Sequence, residues 1–217
     1  MFYWVIRFIS QVVYVQTMRI KHFHLERTQR PGGYLLACSH VSHLDPVCVS
    51  VKVRRKIYWM ARKEFYGNSW SALLMWAVDA FPVNRQGIAV SAIKTAIRRV
   101  KEGEMVGIFP EGEVKQGSES VLRGGPIKHG VCLISQRTNC PVLPCVVLGS
   151  DKLSTVEPWL PMLRGRLWMI YGDPIYPTPN LPRREQRQRM AQELTTSYEA
   201  LYAEARAHFQ LPETILP

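Results

Sequence analysis

The 217-residue sequence lacks paired cysteines, and it also lacks the serine motif of many hydrolases. Its five cysteines are odd in number and form no CxxC pair, which predicts neither a disulfide framework nor a paired-cysteine metal site. The cysteines are Cys38, Cys48, Cys132, Cys140 and Cys145. We expect buried, reduced thiols in a cytosol-facing protein. The pattern G-x-S-x-G, which exposes a nucleophilic serine at a sharp turn, is absent as well, so a serine-dependent covalent route is not indicated.

Acidic residues are scarce relative to basic ones. The chain has 28 Lys and Arg against 17 Asp and Glu, for a net charge of +11 at pH 7. Such an excess favours a polyanionic partner, which could be nucleic acid, an anionic membrane surface or a phosphorylated substrate. Nucleic-acid binding would require exposed aromatic residues interleaved with the basic ones, whereas most aromatics here lie in apolar segments. We therefore expect an anionic membrane surface and no nucleic acid among the partners.

The first 20 residues lack the features of a cleaved secretory signal. In "MFYWVIRFISQVVYVQTMRI" Arg7 interrupts the apolar run, and no A-x-A pattern follows. A spanning helix would place this arginine in the bilayer at a cost of roughly 2.5–3.5 kcal/mol. An amphipathic helix that lies in the membrane interface fits better, and the alternative is a core helix of the domain. We predict a membrane-anchoring helix over residues 1–20 and one further domain over residues 21–217.

No internal repeat, low-complexity tract or long linker divides the rest of the chain. Short apolar segments such as "YLLACS" and "VLPCVV" read as strands, and they alternate with helical segments. The clearest helix, "AVSAIKTAIRRVKEG", has a predicted apolar stripe of Val90, Ile93, Ile97 and Val100, and the last helix is expected from about Arg184 to Phe209. This order predicts an α/β fold, a single domain with a mixed, largely parallel sheet flanked by helices.

The stretch "SHVSHLDP" (39–46) concentrates polar residues that could carry chemistry. His40, His43 and Asp45 could bind a metal, but an HxxH pair needs a helix, which the following proline disfavours. No third ligand is evident, and His22 with His24 is only a loose candidate pair. Two interpretations stay open for this stretch. Asp45 could orient His40 as a base, or it could only cap the helix that follows.

Four blocks, taken in order, resemble the glycerophospholipid acyltransferase family, typified by lysophosphatidic acid acyltransferase. They are "HVSHLD" (40–45, the H-x4-D motif), "FPVNR" (81–85), "FPEG" (109–112) and "VLPCVV" (142–147). The segments "ARKEF" (61–65) and "IKHG" (127–130) are similar to further parts of the family pattern. The resemblance covers roughly residues 35–150, and the order of four blocks makes it specific.

For catalysis, the resemblance implies that His40 is the general base on an acceptor hydroxyl and that Asp45 orients it. An alcohol is a poor nucleophile near neutral pH, so a base must remove its proton as it attacks a thioester. Backbone N–H groups near a helix start would stabilise the developing oxyanion. Because the thioester already supplies the activation, no cofactor or metal is expected.

For substrate binding, the resemblance implies that Arg85 binds the phosphate of the acceptor. Glu111 and Gly112 would lie in the acceptor pocket, with the glycine allowing close backbone approach. Lys128 is a further phosphate-contact candidate, although an exposed lysine at a helix start fits the sequence equally well. Pro144 would help to shape the site or its acyl-facing wall.

One block departs from the family pattern. After "FPEG" the family commonly continues Thr-Arg-Ser, whereas this chain reads Glu113-Val114-Lys115. The usual arginine is therefore missing, and Lys115 or Arg123 is the candidate to replace it.

The expected function is transfer of a fatty acyl group from acyl-CoA or acyl-acyl carrier protein to a lysophospholipid, 1-acylglycerol-3-phosphate, in phospholipid biosynthesis. The expected location is the cytoplasmic face of a membrane, with peripheral or monotopic attachment. Two alternatives remain at this point: a hydrolase of the thioesterase or lysophospholipase type, and a non-enzymatic lipid-binding protein.

Overall fold

The computed structural model describes residues 2–67, 69–84, 90–115, 117–151 and 165–212. Its strands are β1 (Met18–Phe23), β2 (Tyr34–Cys38), β3 (Ile57–Arg62), β4 (Phe81–Val83), β5 (Met105–Ile108), β6 (Val142–Leu148) and β7 (Gly165–Tyr171). Its α-helices are α1 (Phe2–Thr17), α2 (Asp45–Lys52), α3 (Ser69–Ala77), α4 (Val90–Lys101), α5 (Gly130–Thr138) and α6 (Arg183–Phe209).

The strands of the described residues form one seven-stranded sheet in the order β1-β7-β6-β2-β5-β3-β4. Every pairing is parallel except that between β6 and β7, which is antiparallel. The prediction of a single domain with a mixed, largely parallel sheet is therefore confirmed. Because β6, β2, β5, β3 and β4 run in one direction, their carboxyl ends share one edge of the sheet, where α/β folds place their functional loops.

Helices cover both faces of the sheet because its central strands are apolar on both sides. Successive side chains of β2 point to opposite faces, so Leu35 and Ala37 pack in the core that includes α4, α5 and α6. Leu36 and Cys38 pack in the core that includes α2. All five cysteines are buried and free of disulfide bonds, as their apolar surroundings predict.

Helix α4 is rotated relative to its predicted stripe. Ala92 and Ala96 are buried, whereas Val90 is 46% exposed. Ile93 and Ile97 pack only at the margin of the core. The prediction that Val90 belongs to the buried stripe is wrong, because the small alanines make the innermost contacts of this helix.

Helix α1 packs on the domain through a polar face. Tyr3, Arg7 and Gln11 are spaced four residues apart and therefore share one side of the helix. The Tyr3 hydroxyl accepts a hydrogen bond from a main-chain N–H in the segment 51–57 (3.2 Å). Arg7 and Gln11 donate to main-chain carbonyl oxygens of the same segment, at 3.0 and 3.2 Å. The arginine that interrupts the apolar run thus faces protein.

The opposite face of α1 is apolar and exposed. It presents Trp4, Val5, Phe8, Ile9 and Val12. Within the described part of the chain, no helix is long and apolar enough to cross a bilayer. The sheet already begins at residue 18 with β1, and the proposed division of the chain at residue 20 stays a prediction.

Candidate active site

The candidate site lies at the carboxyl edge of the parallel strands, where the loops after β2, β5 and β6 meet. The loop after β2 carries His40, the loop after β5 carries Glu111, and the loop after β6 carries Ser150. Hydrogen bonds join all three loops: His40 N–H donates to Glu111 (2.6 Å), and the Ser150 hydroxyl donates to Asp45 (2.5 Å). The carboxyl ends of strands that are far apart in sequence thus lie next to one another.

His40 and Asp45 form the predicted pair. His40 Nδ1 lies 3.0 Å from Asp45 Oδ2, and Asp45 is fully buried. The same oxygen accepts the main-chain N–H groups of Val41 and Ser42, each at 2.9 Å. A carboxylate on Nδ1 fixes the tautomer of the ring and leaves Nε2 as the basic nitrogen. Nε2 makes no hydrogen bond to any described residue.

The cap-only interpretation of Asp45 is wrong. Asp45 is the first residue of α2, the N-cap position is Leu44, and no side chain caps this helix. The Asp45 side chain reaches back to the loop before the helix instead. Since the N–H groups of Val41 and Ser42 are bound to Asp45, these two cannot serve as the oxyanion donors expected near a helix start.

An aromatic stack holds the His40 ring in place. The ring lies 3.9 Å from that of Phe109 at an interplanar angle of 22°. Phe109 stacks in turn on Trp59, with centroids 5.0 Å apart. With one face packed and Nδ1 bound, His40 remains 7% exposed. The ring is therefore fixed while retaining access to solvent.

No metal site forms around the histidines. Among the described residues, no group of three His, Cys, Asp or Glu side chains could hold a metal ion. The ring of His43 lies 6.2 Å from that of His40, and His43 is exposed. His24 pairs instead with Glu26 and Glu204, at 3.4 and 3.3 Å.

A surface cavity of about 370 Å³ lies elsewhere on the molecule. It is formed by β1 and the end of α6 and contains none of the predicted site residues. Its lining comprises Ile20, Lys21, His22, His208, Phe209 and Gln210.

Glu111 supports His40 from inside the protein. Its side chain is buried, and Oε2 accepts the main-chain N–H of His40 at 2.6 Å. Oε1 accepts the Ser120 hydroxyl at 3.2 Å and the Val121 N–H at 3.0 Å. Burial raises the pKa of Glu111, and the hydrogen bonds from Val121, His40 and Ser120 oppose that rise. Both carboxylate oxygens thus bind protein donors, and the expectation that Glu111 lies in the acceptor pocket stays a prediction.

Gly112 makes the turn after Glu111 possible. Its φ of +77° lies in the left-handed region, and its N–H closes the turn on the Phe109 carbonyl at 2.9 Å. A Cβ at this position would lie 2.6 Å from Nζ of Lys128, so the absence of a side chain lets the lysine cross the turn. Lys128 is exposed and makes no ion pair with a described residue.

Lys115 is already neutralised by its neighbours. Its ammonium group lies 2.9 Å from Glu119 and 3.1 Å from Glu113, and these two carboxylates raise the pKa of Lys115. It is therefore a poor replacement for the missing arginine of the third block. Arg123 is exposed at the end of a short 3-10 turn.

Two further predicted residues are not part of the described site. Arg85 lies outside the described residues. Pro144 lies within β6 on the face that packs against α6, near Gly172 and Leu201. Side chains alternate along a strand, and the rings stacked on His40 belong to the opposite core, so Pro144 lies on the other side of the sheet from His40. That Pro144 helps to shape the site or its acyl-facing wall stays a prediction.

Two serines of the site carry no signal in the sequence. Ser150 lies 105 positions from Asp45, and Ser120 lies nine positions from Glu111. Neither belongs to one of the four blocks, so only the folded chain reveals their contacts.

The Acyltransferase family model matches residues 19–148, which is more than half of the chain and includes the His40–Asp45 pair. The chain belongs to the acyltransferase family. It is therefore an enzyme, and the resemblance inferred from the four blocks is confirmed.

Individual acyltransferases agree with this assignment. A 1-acyl-sn-glycerol-3-phosphate acyltransferase of Bacillus subtilis is 31% identical over 178 residues, covering 81% of this chain and 84% of the relative. One of Helicobacter pylori is 27% identical, covering 79% and 73%. The crystal structure of the 1-acyl-sn-glycerophosphate acyltransferase of Thermotoga maritima shares the fold, with a TM-score of 0.69 at 17% identity over 92% of this chain and 79% of that one.

Replacing Glu111 by glutamine should lower both stability and kcat while leaving KM near its wild-type value. In the wild type, three donors bind the two carboxylate oxygens of Glu111. Glutamine has a single carbonyl oxygen, so at least one of these buried donors would lose its acceptor. We expect the free energy of unfolding to fall by about 1–3 kcal/mol, measured by chemical denaturation beside steady-state kinetics. Glu113→Gln, at the exposed neighbouring carboxylate, is the control. A raised KM with unchanged stability would instead place Glu111 in an acceptor pocket.

Proposed function

We propose that the protein transfers a fatty acyl group from acyl-CoA or acyl-acyl carrier protein to the free hydroxyl of 1-acylglycerol-3-phosphate, in phospholipid biosynthesis. The observation that carries the proposal is the 3.0 Å contact between His40 Nδ1 and the buried carboxylate of Asp45, with Nε2 unbound by described residues. The names of the relatives support this choice of acceptor.

In the proposed reaction, His40 Nε2 removes the proton of the acceptor hydroxyl as its oxygen attacks the thioester carbonyl. A carbon–oxygen bond forms, the carbon–sulfur bond breaks, and the thiolate leaves. The proton held by His40 then passes to the thiolate, which restores the base. Asp45 stabilises the imidazolium in between without taking the proton. This balance requires no cofactor or metal, because the thioester supplies the driving force.

For the acceptor phosphate, we propose Lys128 together with Arg85. The ammonium group of Lys128 lies beside Gly112 in the loop that also contains Glu111, and it makes no ion pair within the described residues. Lys115 forms ion pairs with two carboxylates and would have to break them in order to bind the phosphate. A free ammonium group binds a phosphate as a point charge, which suits Lys128 better.

We further propose that the protein lies on the cytoplasmic face of a membrane as a monotopic or peripheral protein. Trp4, Phe8 and Val12 repeat every four residues along the exposed side of α1, while its polar side binds the domain. An apolar helix face that inserts at headgroup depth is the usual form of interfacial attachment. Leu73 and Trp76 of α3, which contacts α1, are exposed as well.

Charge supports the choice of an anionic lipid surface as the partner. The net charge is +11, and exposed Arg54, Arg62 and Lys63 lie close in sequence to the segments that contact α1. Basic residues near an apolar insertion add attraction to anionic headgroups. The absence of nucleic acid from the partners stays a prediction.

His40→Ala should lower kcat by about 10²- to 10⁴-fold, the range that general base catalysis supplies. Turnover is measured with labelled acyl-CoA, with and without 1-acylglycerol-3-phosphate, and labelled diacyl product should form only when the acceptor is present. His43→Ala, an exposed histidine of the same loop, is the matched control and should keep near-normal turnover. Near-normal turnover in His40→Ala would contradict the base assignment. Free fatty acid as the sole labelled product would indicate a hydrolase.

Lys128→Gln should raise the KM for 1-acylglycerol-3-phosphate about tenfold, because one charge-assisted contact to the phosphate is lost. The KM for 1-acylglycerol, which has no phosphate, should change little. Lys115→Gln is the paired control and should affect the two acceptors equally and weakly. If Lys128→Gln left the preference between the two acceptors unchanged, Lys128 would not be a phosphate ligand.

Trp4→Ser combined with Phe8→Ser should weaken binding to phosphatidylglycerol vesicles by at least about tenfold, since each large apolar side chain gains roughly 1.5–3 kcal/mol on burial. Vesicle co-sedimentation measures the effect, and thermal unfolding checks that the fold survives. Val90→Ser removes an equally exposed apolar side chain from α4, on the other face of the sheet, and should leave binding unchanged. Equal binding by the double variant and the wild type would show that α1 is not the anchor.

A further inference from the structure

The two oxygens of the Asp45 carboxylate have different partners. Oδ2 is shared by His40 Nδ1 and the N–H groups of Val41 and Ser42. Among the described residues, the Ser150 hydroxyl is the single hydrogen-bond donor to Oδ1, at 2.5 Å. Asp45 and Ser150 are both fully buried.

The end of β6 places the Ser150 hydroxyl next to Asp45. β6 lies beside β2 in parallel register, so the two strands finish at the same edge. Gly149 then turns the chain with a φ of +84°. A Cβ at this position would lie 2.4 Å from the Arg166 carbonyl oxygen and 2.9 Å from the Trp168 ring. The glycine therefore permits the tight turn that places Ser150 against Asp45.

We propose that Ser150 is a positioning residue for acyl transfer, which acts by holding the Asp45 carboxylate in the rotation that directs Oδ2 at His40 Nδ1. All other described donors bind Oδ2, so without Ser150 the buried Oδ1 has no described donor and only the three bonds to Oδ2 oppose rotation of the carboxylate about the Cβ–Cγ axis. A buried acceptor left without a donor is costly, and rotation would let Oδ1 compete for the donors of Oδ2. His40 would then lose part of its alignment.

This role rests on the proposed function of His40 as the base. Ser150 itself touches no reacting atom. Its effect should appear in kcat and vanish when the base is absent, whereas a merely structural serine would lower stability without changing the turnover of the folded enzyme.

The test is Ser150→Ala, assayed for acyl transfer from acyl-CoA to 1-acylglycerol-3-phosphate. We expect kcat to fall about tenfold, with KM for both substrates changed less than about twofold. Ser150→Thr keeps the hydroxyl and should restore kcat to within about threefold of wild type. Ser135→Ala is the matched control, because Ser135 is also fully buried and donates at 2.5 Å, in this case to the Cys140 carbonyl. Its turnover per folded molecule should match wild type.

The double variant that also carries His40→Ala separates a positioning role of Ser150 from a merely structural one. In that background Ser150→Ala should cause no further loss of residual turnover. A wild-type kcat in Ser150→Ala, or an equal loss with and without His40, would overturn the positioning role. If His40→Ala itself kept normal turnover, the proposed function would fail first, so the two failures are distinguishable.

Discussion

The buried carboxylate of Asp45 is the constraint on which the site depends. A charge removed from water must be surrounded by hydrogen-bond donors, and here the donors come from one imidazole, two main-chain N–H groups and one hydroxyl. The hydrogen bonds to the Asp45 carboxylate therefore fix three features together: the path of the loop after β2, the orientation of His40 and the end of β6. The proposed catalytic alignment and the local folding therefore depend on the same hydrogen bonds.

A second buried carboxylate supports this arrangement from the opposite side. Glu111 holds the main chain of His40, as Asp45 holds its ring, and Phe109 packs on the ring face. These contacts combine the loops after β2 and β5, which end at the same edge because the two strands are parallel neighbours. The rigid sheet thus positions the proposed base, while the proposed phosphate ligand Lys128 and the exposed face of α1 remain accessible.

The sequence was sufficient for those features that local spacing determines. The alternation of apolar strands and helices predicted the sheet. The contact between His40 and Asp45 was one of two interpretations that their spacing left open, and the family resemblance favoured it. The contacts of Glu111 and Ser150 depend on residues that strand pairing brings together, so no local sequence pattern indicates them. The rotation of α4 was missed for a related reason, since hydrophobicity alone does not show that a helix packs through its alanines. The ion pairs of Lys115 likewise exist only once the loop has folded.

The most direct test of the central claim is a crystal structure of the enzyme with 1-acylglycerol-3-phosphate bound and no acyl donor. We expect the free hydroxyl of the lipid to lie within hydrogen-bond reach of His40 Nε2, at about 2.6–3.2 Å, while Nδ1 keeps its bond to Asp45. A bound lipid whose hydroxyl lies far from His40, or a His40 ring turned away from Asp45 in the complex, would contradict it.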